Sequence, residues 1–166
     1  MRMADWVAHW KAGGEAWDAR AAAEALTEDA ELISPLTDRF SFRGQEVIQG
    51  LLAEVFEVYS EFRYIDELRA DGRAVLVASA RLRGLQLTEL QHLTLDTDGR
   101  ISRVTLAMRP LPAVTSFQRA LGPRLARQQG RDGVARILSA AGTFLDGLAS
   151  SGDRYFTPLA DPNRGN

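Results

Sequence analysis

The fold can be predicted from one stretch of the sequence, Ala30-Glu-Leu-Ile-Ser-Pro-Leu-Thr-Asp-Arg-Phe-Ser-Phe-Arg-Gly44. Residues 31 to 34 read as a β-strand, and Pro35 ends it because proline cannot donate a hydrogen bond to a neighbouring strand. A second short strand is predicted over residues 39 to 43. Gly44 then leads into a helix over residues 45 to 58, whose apolar side chains recur at helical spacing. One side of that helix is expected to face the core.

Long strands are predicted downstream of this helix. They cover residues 61–69, 74–82, 85–95 and 101–108, and the sequences Asp71-Gly72, Arg83-Gly84 and Asp98-Gly99 supply the turns between them. Upstream, two helical pieces are expected over residues 6 to 26, with a break near Gly13-Gly14. The predicted fold class is therefore α+β, with the helices first and an antiparallel sheet after them.

Two further helices are predicted after the sheet. Pro110 and Pro112 end the last strand, and Gly122-Pro123 should bend or restart the first of these helices. Asp132 can cap the second one, which carries one apolar face formed by Val134, Ile137, Leu138, Ala141, Leu145 and Leu148. We therefore divide the chain into a pocket domain over 1–112, a basic helical extension over 113–150 and an irregular tail over 151–166.

Composition excludes several classes of protein. The chain has 166 residues, 45% hydrophobic residues and a net charge of −2, which are values of one globular domain. No apolar run is long enough for a transmembrane segment. No signal sequence or cysteine suggests secretion, so we expect a cytoplasmic protein. Lys11 is the only lysine among 20 basic residues, which hints at a bacterium with a GC-rich genome.

The residues after Met108 are rich in arginine, but no aromatic side chains alternate with them as base stacking on nucleic acid would require. We therefore predict no nucleic-acid partner and interpret the arginines as solvated faces of helices that dock on an acidic body. The chain has two histidines, His9 and His92, and no cysteine. Neither a metal site nor a cofactor is predicted from them.

Residues 4 to 110 resemble the nuclear transport factor 2-like superfamily, and within it the SnoaL-like polyketide cyclases and the ketosteroid isomerases. The pieces that carry the resemblance are Trp10-Lys-Ala-Gly-Gly-Glu15, Thr27-Glu-Asp-Ala-Glu-Leu-Ile-Ser-Pro35, Phe42-Arg-Gly44 and Asp98-Gly-Arg-Ile101. The resemblance implies a curved antiparallel sheet wrapped on the N-terminal helices to form a cone, a cystatin-like roll, with an apolar pocket at its wide end. It also implies a homodimer that pairs through the outer face of the sheet.

The catalytic residues of that family are not found at the matching positions. Ketosteroid isomerases place a carboxylate base where this chain has Ser34, and their oxyanion-hole tyrosine and aspartic acid match Val7 and Gln91. The acidic residue of the SnoaL-like cyclases matches Leu106. We therefore expect an interior without an ionisable acid, where general acid–base catalysis is not available.

Three hypotheses about function follow. The first is a protein that binds a small apolar molecule in the cone without the usual acid–base residues, and the predicted ligand-binding residues are Val7, Trp10, Ser34, Tyr59, Gln91, Leu106 and Met108. The second is an enzyme of the cyclase, isomerase or dehydratase type with a relocated acid, for which Glu89, Asp38 and Glu57 are candidates. The third is a dimeric interaction scaffold. His92 is expected on the outer face of the sheet, because it alternates with Gln91.

Overall fold

The computed structural model describes residues 5 to 162. The helices are α1 (Trp6–Glu15), α2 (Ala19–Ala23), α3 (Gln45–Phe56), α4 (Leu111–Gln128) and α5 (Asp132–Tyr155). The strands are β1 (Leu26–Ile33), β2 (Phe42–Arg43), β3 (Ser60–Ala70), β4 (Arg73–Leu82), β5 (Leu85–Leu95) and β6 (Ile101–Arg109). The chain divides into two compact units, one ending at Met108 and the other beginning at Arg109.

The first unit is an α+β cone, as the sequence predicted. Its six strands form one sheet in the order β2-β1-β6-β5-β4-β3, which is not closed into a barrel. The pairs β1/β2, β3/β4 and β4/β5 are antiparallel, whereas β1 and β6 are parallel. The sheet is therefore mixed, and its parallel pair β1/β6 differs from the antiparallel pairing that the sequence predicted. After β1 and β2 the chain passes through α3 to the opposite end of the sheet, and β3, β4 and β5 lead back until β6 lies beside β1.

Alternation along the strands builds the core. On β4 the side chains of Ala74, Leu76, Ala78, Ala80 and Leu82 are all at most 2% exposed, while the residues between them are more accessible. Leu87 and Leu93 continue this buried face on β5. The helix α3 contributes Ile48, Leu51 and Leu52 from one side, in agreement with its helical periodicity. The core thus lies between the inner face of the sheet and the helices.

The helices α1 and α2 pack closely because of Gly13. A Cβ atom on Gly13 would lie 2.3 Å from the backbone nitrogen of Ala22, so only glycine permits this approach of α1 to α2. The break between the helices comes at residues 16 to 18, after the glycines, and Asp18 caps α2 by accepting a hydrogen bond from the Ala21 nitrogen. Consequently the α1–α2 pair forms a firm wall beside the sheet.

The second unit is a pair of helices. A Cβ atom on Gly142 would lie 2.9 Å from the Cα atom of Arg119, so α4 and α5 pack closely at that point. Asp146 joins them, because its carboxylate accepts hydrogen bonds from Thr115 (3.2 Å) and Arg119 (3.0 Å). In α4 the helix continues through Pro123, so it does not restart there.

The buried side of α5 is its small-residue side, with Ala135 and Gly142, and not the predicted apolar stripe. Within this unit Ile137 is 69% exposed and Leu148 is 56% exposed. The helix also runs to Tyr155 and is followed by a 3-10 turn, Thr157–Ala160, where an irregular tail was expected from residue 151. Residues 163 to 166 of that predicted tail lie outside the described residues. Over residues 5 to 162, no helix combines the length and apolarity that a membrane span needs.

Candidate functional site

A small cavity of about 30 Å³ lies between α1, α3 and the inner face of the sheet. It is large enough for about two water molecules. Its walls are formed by Trp10, Gly14, Ala22, Leu52, Val55, Phe56, Tyr59, Phe62, Tyr64, Glu89 and Gln91. The cavity is thus mostly aromatic and aliphatic, with five polar side chains along one side.

Strand alternation places the acid in the cavity. Leu87, Glu89, Gln91 and Leu93 share the inner face of β5 and are each at most 5% exposed, whereas His92 is exposed on the other face. The predicted opposite directions of Gln91 and His92 are confirmed. The expectation of an interior without an ionisable acid was wrong, because Glu89 projects into this cavity.

The polar side chains of the cavity form one connected network, which we call the Glu89 network: Trp10, Tyr59, Tyr64, Glu89 and Gln91. The Tyr59 hydroxyl donates to Glu89 Oε2 at 2.8 Å, and Gln91 Nε2 donates to Glu89 Oε1 at 2.6 Å. Gln91 Oε1 accepts from Trp10 Nε1 at 2.8 Å and from the Tyr64 hydroxyl at 3.2 Å. Every polar side chain of the network therefore has a partner within it.

The indole of Trp10 sets the direction of this network. An indole N–H can only donate a hydrogen bond, so the Gln91 amide turns its oxygen toward Trp10 and its nitrogen toward Glu89. Glu89 Oε1 is therefore always an acceptor. If the Glu89 carboxyl binds a proton, that proton sits on Oε2, the atom that faces Tyr59.

Burial raises the pKa of the Glu89 carboxyl, and the hydrogen bonds from Gln91 and Tyr59 oppose this shift without cancelling it. No Lys, Arg or His side chain lines the cavity among residues 5 to 162. Burial likewise raises the pKa of Tyr59, and the nearby Glu89 adds to this effect. The pKa of Tyr64 is raised by burial as well. A buried carboxyl with a raised pKa in a cavity wall is a candidate for a general acid or base.

The structure brings together three of the predicted ligand-binding residues, Trp10, Tyr59 and Gln91, in the cavity wall. The other four lie elsewhere. Val7 is 2% exposed in the core, and Leu106 and Met108 are half-buried on β6. Ser34 accepts a hydrogen bond from the Leu36 nitrogen at 3.1 Å, which makes it a turn residue.

The two other acids considered as relocated catalysts, Asp38 and Glu57, are exposed and do not line the cavity. Sequence analysis also missed Tyr64 and Phe62. The signal that could have found them is alternation on β3, because residues 62 and 64 share one face of that strand. Their rings meet edge to face at 5.1 Å between centroids.

One residue next to the cavity has an unusual backbone. Trp17, in the turn between α1 and α2, has a φ of 59°, a left-handed conformation that costs a bulky residue roughly 1–2 kcal/mol. Its ring packs edge-on against Phe56 at 5.7 Å and Phe62 at 6.2 Å between centroids. Both of those rings are cavity walls, so Trp17 covers them from outside.

Comparison with known proteins supports this fold. No protein-family model matches the sequence, and no curated protein matches it. Among solved structures, a steroid delta-isomerase from Pseudomonas aeruginosa is 26% identical, with a TM-score of 0.68 over 75% of this chain and 92% of that chain. An uncharacterised protein with a cystatin-like fold from Silicibacter pomeroyi is 22% identical, with a TM-score of 0.70 over 78% and 93%.

A putative SnoaL-like polyketide cyclase from Shewanella denitrificans is more distant. It is 14% identical, with a TM-score of 0.52 over 63% of this chain and 88% of that chain. At this identity the likeness concerns the fold alone. The three similar structures thus share the architecture of 63 to 78% of this chain. Of these three, the steroid delta-isomerase has the highest sequence identity, 26%.

Proposed function

Because this chain belongs to the nuclear transport factor 2-like superfamily, we propose that it is an acid–base enzyme of the isomerase type, with Glu89 as its proton carrier. The observation that carries the proposal is the buried Glu89 carboxyl in the cavity wall, hydrogen-bonded only to neutral donors among its described contacts. The similarity to a steroid delta-isomerase supports the reaction class, a shift of a double bond next to a carbonyl group.

The proposed reaction uses the two oxygen atoms of Glu89 differently. The ionised carboxylate accepts hydrogen bonds from Gln91 and Tyr59, and its burial makes it a stronger base than an exposed glutamate. A substrate carbon next to a carbonyl group gives its proton to Glu89 Oε2. The electron pair of that C–H bond moves into the substrate and forms an enolate.

Tyr59 then stabilises the enolate. Once Oε2 holds a proton, the Tyr59 hydroxyl no longer has to donate to Glu89 and can turn its own proton toward the enolate oxygen. Glu89 returns its proton to another carbon of the same conjugated system. The product is the conjugated isomer, and the enzyme is back in its ionised form with no net gain or loss of protons.

Gln91 and Trp10 hold the base in place. Trp10 fixes the Gln91 amide, and Gln91 Nε2 holds Glu89 Oε1 at 2.6 Å, so the carboxyl plane cannot rotate freely. Tyr64 adds a second donor to Gln91 Oε1. These three side chains are positioning residues, whereas Glu89 and Tyr59 are proposed to contact the substrate.

The test uses a one-ring ketone, cyclohex-3-en-1-one, whose conjugated isomer is followed by its ultraviolet absorbance. We expect E89Q to lose on the order of 10²- to 10⁴-fold in kcat/KM, the usual contribution of a general acid or base. Glu31→Gln is the matched control, because it makes the same carboxyl-to-amide change at the sheet edge, outside the cavity. An E89Q variant as active as the wild-type protein would exclude Glu89 as the proton carrier. A wild-type protein inactive on this ketone and on a Δ5-3-ketosteroid would count against the isomerase class.

A second candidate function is the binding of a small apolar molecule without catalysis. It is favoured by the complete pairing of the Glu89 network, in which each polar group already has a partner. In that case Trp10, Tyr59 and Gln91 anchor the ligand, and E89Q changes its affinity but not the rate of any reaction. Measured binding of the ketone without its conversion would favour this candidate.

We also propose that the first unit forms a homodimer through its outer sheet face. Register places Leu68 beside Val75 and Val77 beside Leu90 on that face, and Leu68 and Leu90 are 65% and 38% exposed. This apolar strip supports the dimer that sequence analysis expected. Leu90→Glu should shift the protein toward the monomer in sedimentation experiments, whereas the exposed Gln86→Glu at the end of β5 should not. Equal masses for the wild-type protein and Leu90→Glu would contradict this interface.

A further inference from the structure

The cavity is narrow. Its deep walls Trp10, Leu52, Tyr59, Phe62, Glu89 and Gln91 are at most 9% exposed, and its volume of about 30 Å³ admits no organic ring. Only Val55, Phe56 and Tyr64 among its larger wall residues are half-buried and approach solvent. A substrate of the proposed function can therefore enter only where a wall residue near α3 or β3 moves.

Trp17 covers that side. Its ring contacts Phe56 at the end of α3 and Phe62 on β3, so it spans the two elements between which the cavity would open. Trp17 itself is 39% exposed and does not line the cavity. It is therefore the outermost aromatic ring of this wall.

The backbone that carries Trp17 cannot move easily. Trp17 and Asp18 donate to the carbonyl groups of Gly14 (3.2 Å) and Gly13 (2.9 Å), and Gly13 is packed directly on Ala22. The turn is therefore held on both sides, and opening must come from rotation of the Trp17 side chain and not from the turn. A tryptophan kept at a φ of 59°, where glycine would be unstrained, indicates that its ring is needed at this place.

We propose that Trp17 is the gate of the cavity and the residue that sets the size of its ligands. When its side chain rotates, the Trp17 ring limits how far the wall beside Phe56 and Phe62 opens, so that the cavity takes molecules of about one ring with an oxygen atom facing Tyr59 and Glu89. Removing the ring opens the wall beside Phe56 and Phe62 and admits two-ring molecules. This inference rests on the proposed ligand site but not on any catalytic step.

The experiment compares binding of phenol and 2-naphthol, which differ by one fused ring, to the wild-type protein and to W17F, W17A and W17G. Affinities are measured by calorimetry, and association rates by the fluorescence of 2-naphthol in a stopped-flow instrument. Trp6→Phe is the matched control, because Trp6 is a tryptophan of the same helix region that contacts Arg100 and His9 and does not line the cavity.

We expect W17A and W17G to improve the affinity for 2-naphthol relative to phenol by about tenfold or more, and to speed its association. W17F and Trp6→Phe should resemble the wild-type protein. The gate also predicts that W17A and W17G agree in binding while W17G has the higher Tm, because glycine removes the left-handed strain that alanine keeps. This pattern separates gating from a structural effect. The Tm should depend on the backbone strain at position 17, whereas the ratio of the two affinities should depend on the presence of the ring.

Equal naphthol-to-phenol ratios in all five proteins, or no binding of either compound to any of them, would overturn the gate. If W17A does not fold, W17G and W17F still give the comparison. Failure of the gate would leave the E89Q result untouched, because that result concerns proton transfer on a one-ring ketone. Conversely, size selection by Trp17 together with a fully active E89Q would retain the gate and remove the proposed proton carrier.

Discussion

Glu89 and Glu31 lie in the same sheet, and their surroundings shift their acidities in opposite directions. Glu31 accepts hydrogen bonds from Ser41 at 2.6 Å, Arg103 at 2.5 Å and Arg43 at 2.8 Å, and these contacts lower its pKa, the Ser41 hydroxyl most and Arg103 next. Glu89 accepts from two neutral donors, and burial raises its pKa.

Hydrogen bonds alone therefore do not decide the role of a carboxylate. Both glutamates are well supplied with donors, but Glu31 lies at the sheet edge between two guanidinium groups and stays ionised. It ties β2, β1 and β6 together. Glu89 faces a cavity without cationic side chains among the described residues, so no nearby cation offsets the rise that burial causes in its pKa.

The largest effect is expected for Glu89→Ala. This change removes the acceptor for Tyr59 and Gln91 and enlarges the cavity, so the free energy of unfolding should fall by about 2–4 kcal/mol. Urea denaturation at pH 6 measures it, with Glu89→Gln as the variant that keeps the shape and an acceptor oxygen for Gln91, while its amide nitrogen donates to the Tyr59 oxygen instead of accepting from it. A loss of the same size in Glu89→Gln would mean that the charge, and not the packing and pairing, stabilises this site.

A second change turns the Glu89 site into a pair of acids. Gln91→Glu places another carboxyl next to Glu89, where the Gln91 amide now lies 2.6 Å from Oε1. Two such groups share one proton at low pH but repel each other when both ionise. We expect stability close to that of the wild-type protein near pH 5 and a loss of about 2 kcal/mol or more near pH 8. A loss independent of pH would contradict the account.

The pH dependence of the wild-type protein should be weaker than that of Gln91→Glu. The folded-state pKa of Glu89 lies above its unfolded value. The stability that Glu89 contributes is therefore fully present at pH values below the ordinary pKa of a glutamate. It is lost as pH rises from that value through the raised pKa. Denaturation curves from pH 4 to pH 9 should therefore show a decline that is absent in Glu89→Gln. Parallel curves for the two proteins would refute the raised pKa.

The smallest effect is expected for Glu31→Gln, and it should have the opposite sign. The folded-state pKa of Glu31 is lowered, so its contribution is present above the ordinary carboxyl pKa and is lost as pH falls through the folded value. The stability difference between wild type and Glu31→Gln should therefore vanish in acid and be present at neutral pH, and high salt should reduce it. A difference that grows in acid would contradict this reading of the edge cluster.

Much of the fold could be predicted from the sequence because its signals are local. Turn sequences and strand alternation gave β3 to β6 within a few residues, and helical periodicity gave α3. The parallel pairing of β1 with β6 joins residues such as Leu32 and Val104, which are far apart in the chain. No local pattern encodes that neighbour, and it follows only once the cone closes around its helices.

The residues of the candidate site were harder to predict from the sequence than the fold. Alternation on β5 put Glu89 on the same face as Gln91, and this was sufficient to place the acid inside. The expectation of an acid-free interior came instead from positions carried over from a family, Ser34, Val7 and Leu106. The close meeting of Trp10 on α1 and Tyr64 on β3 around Gln91 on β5 also depends on three separate elements. Their chemistry could not be predicted until those elements were assembled.

The most direct test is a titration of the Glu89 side chain itself. Carbon-13 NMR of the glutamate carboxyl groups, with Glu89 assigned by its absence in Glu89→Gln, gives its pKa in the folded protein. The account predicts a pKa above the ordinary glutamate range, with the Tyr59 ring signals changing in the same pH interval. A Glu89 pKa at or below the ordinary value would contradict the proposed proton carrier.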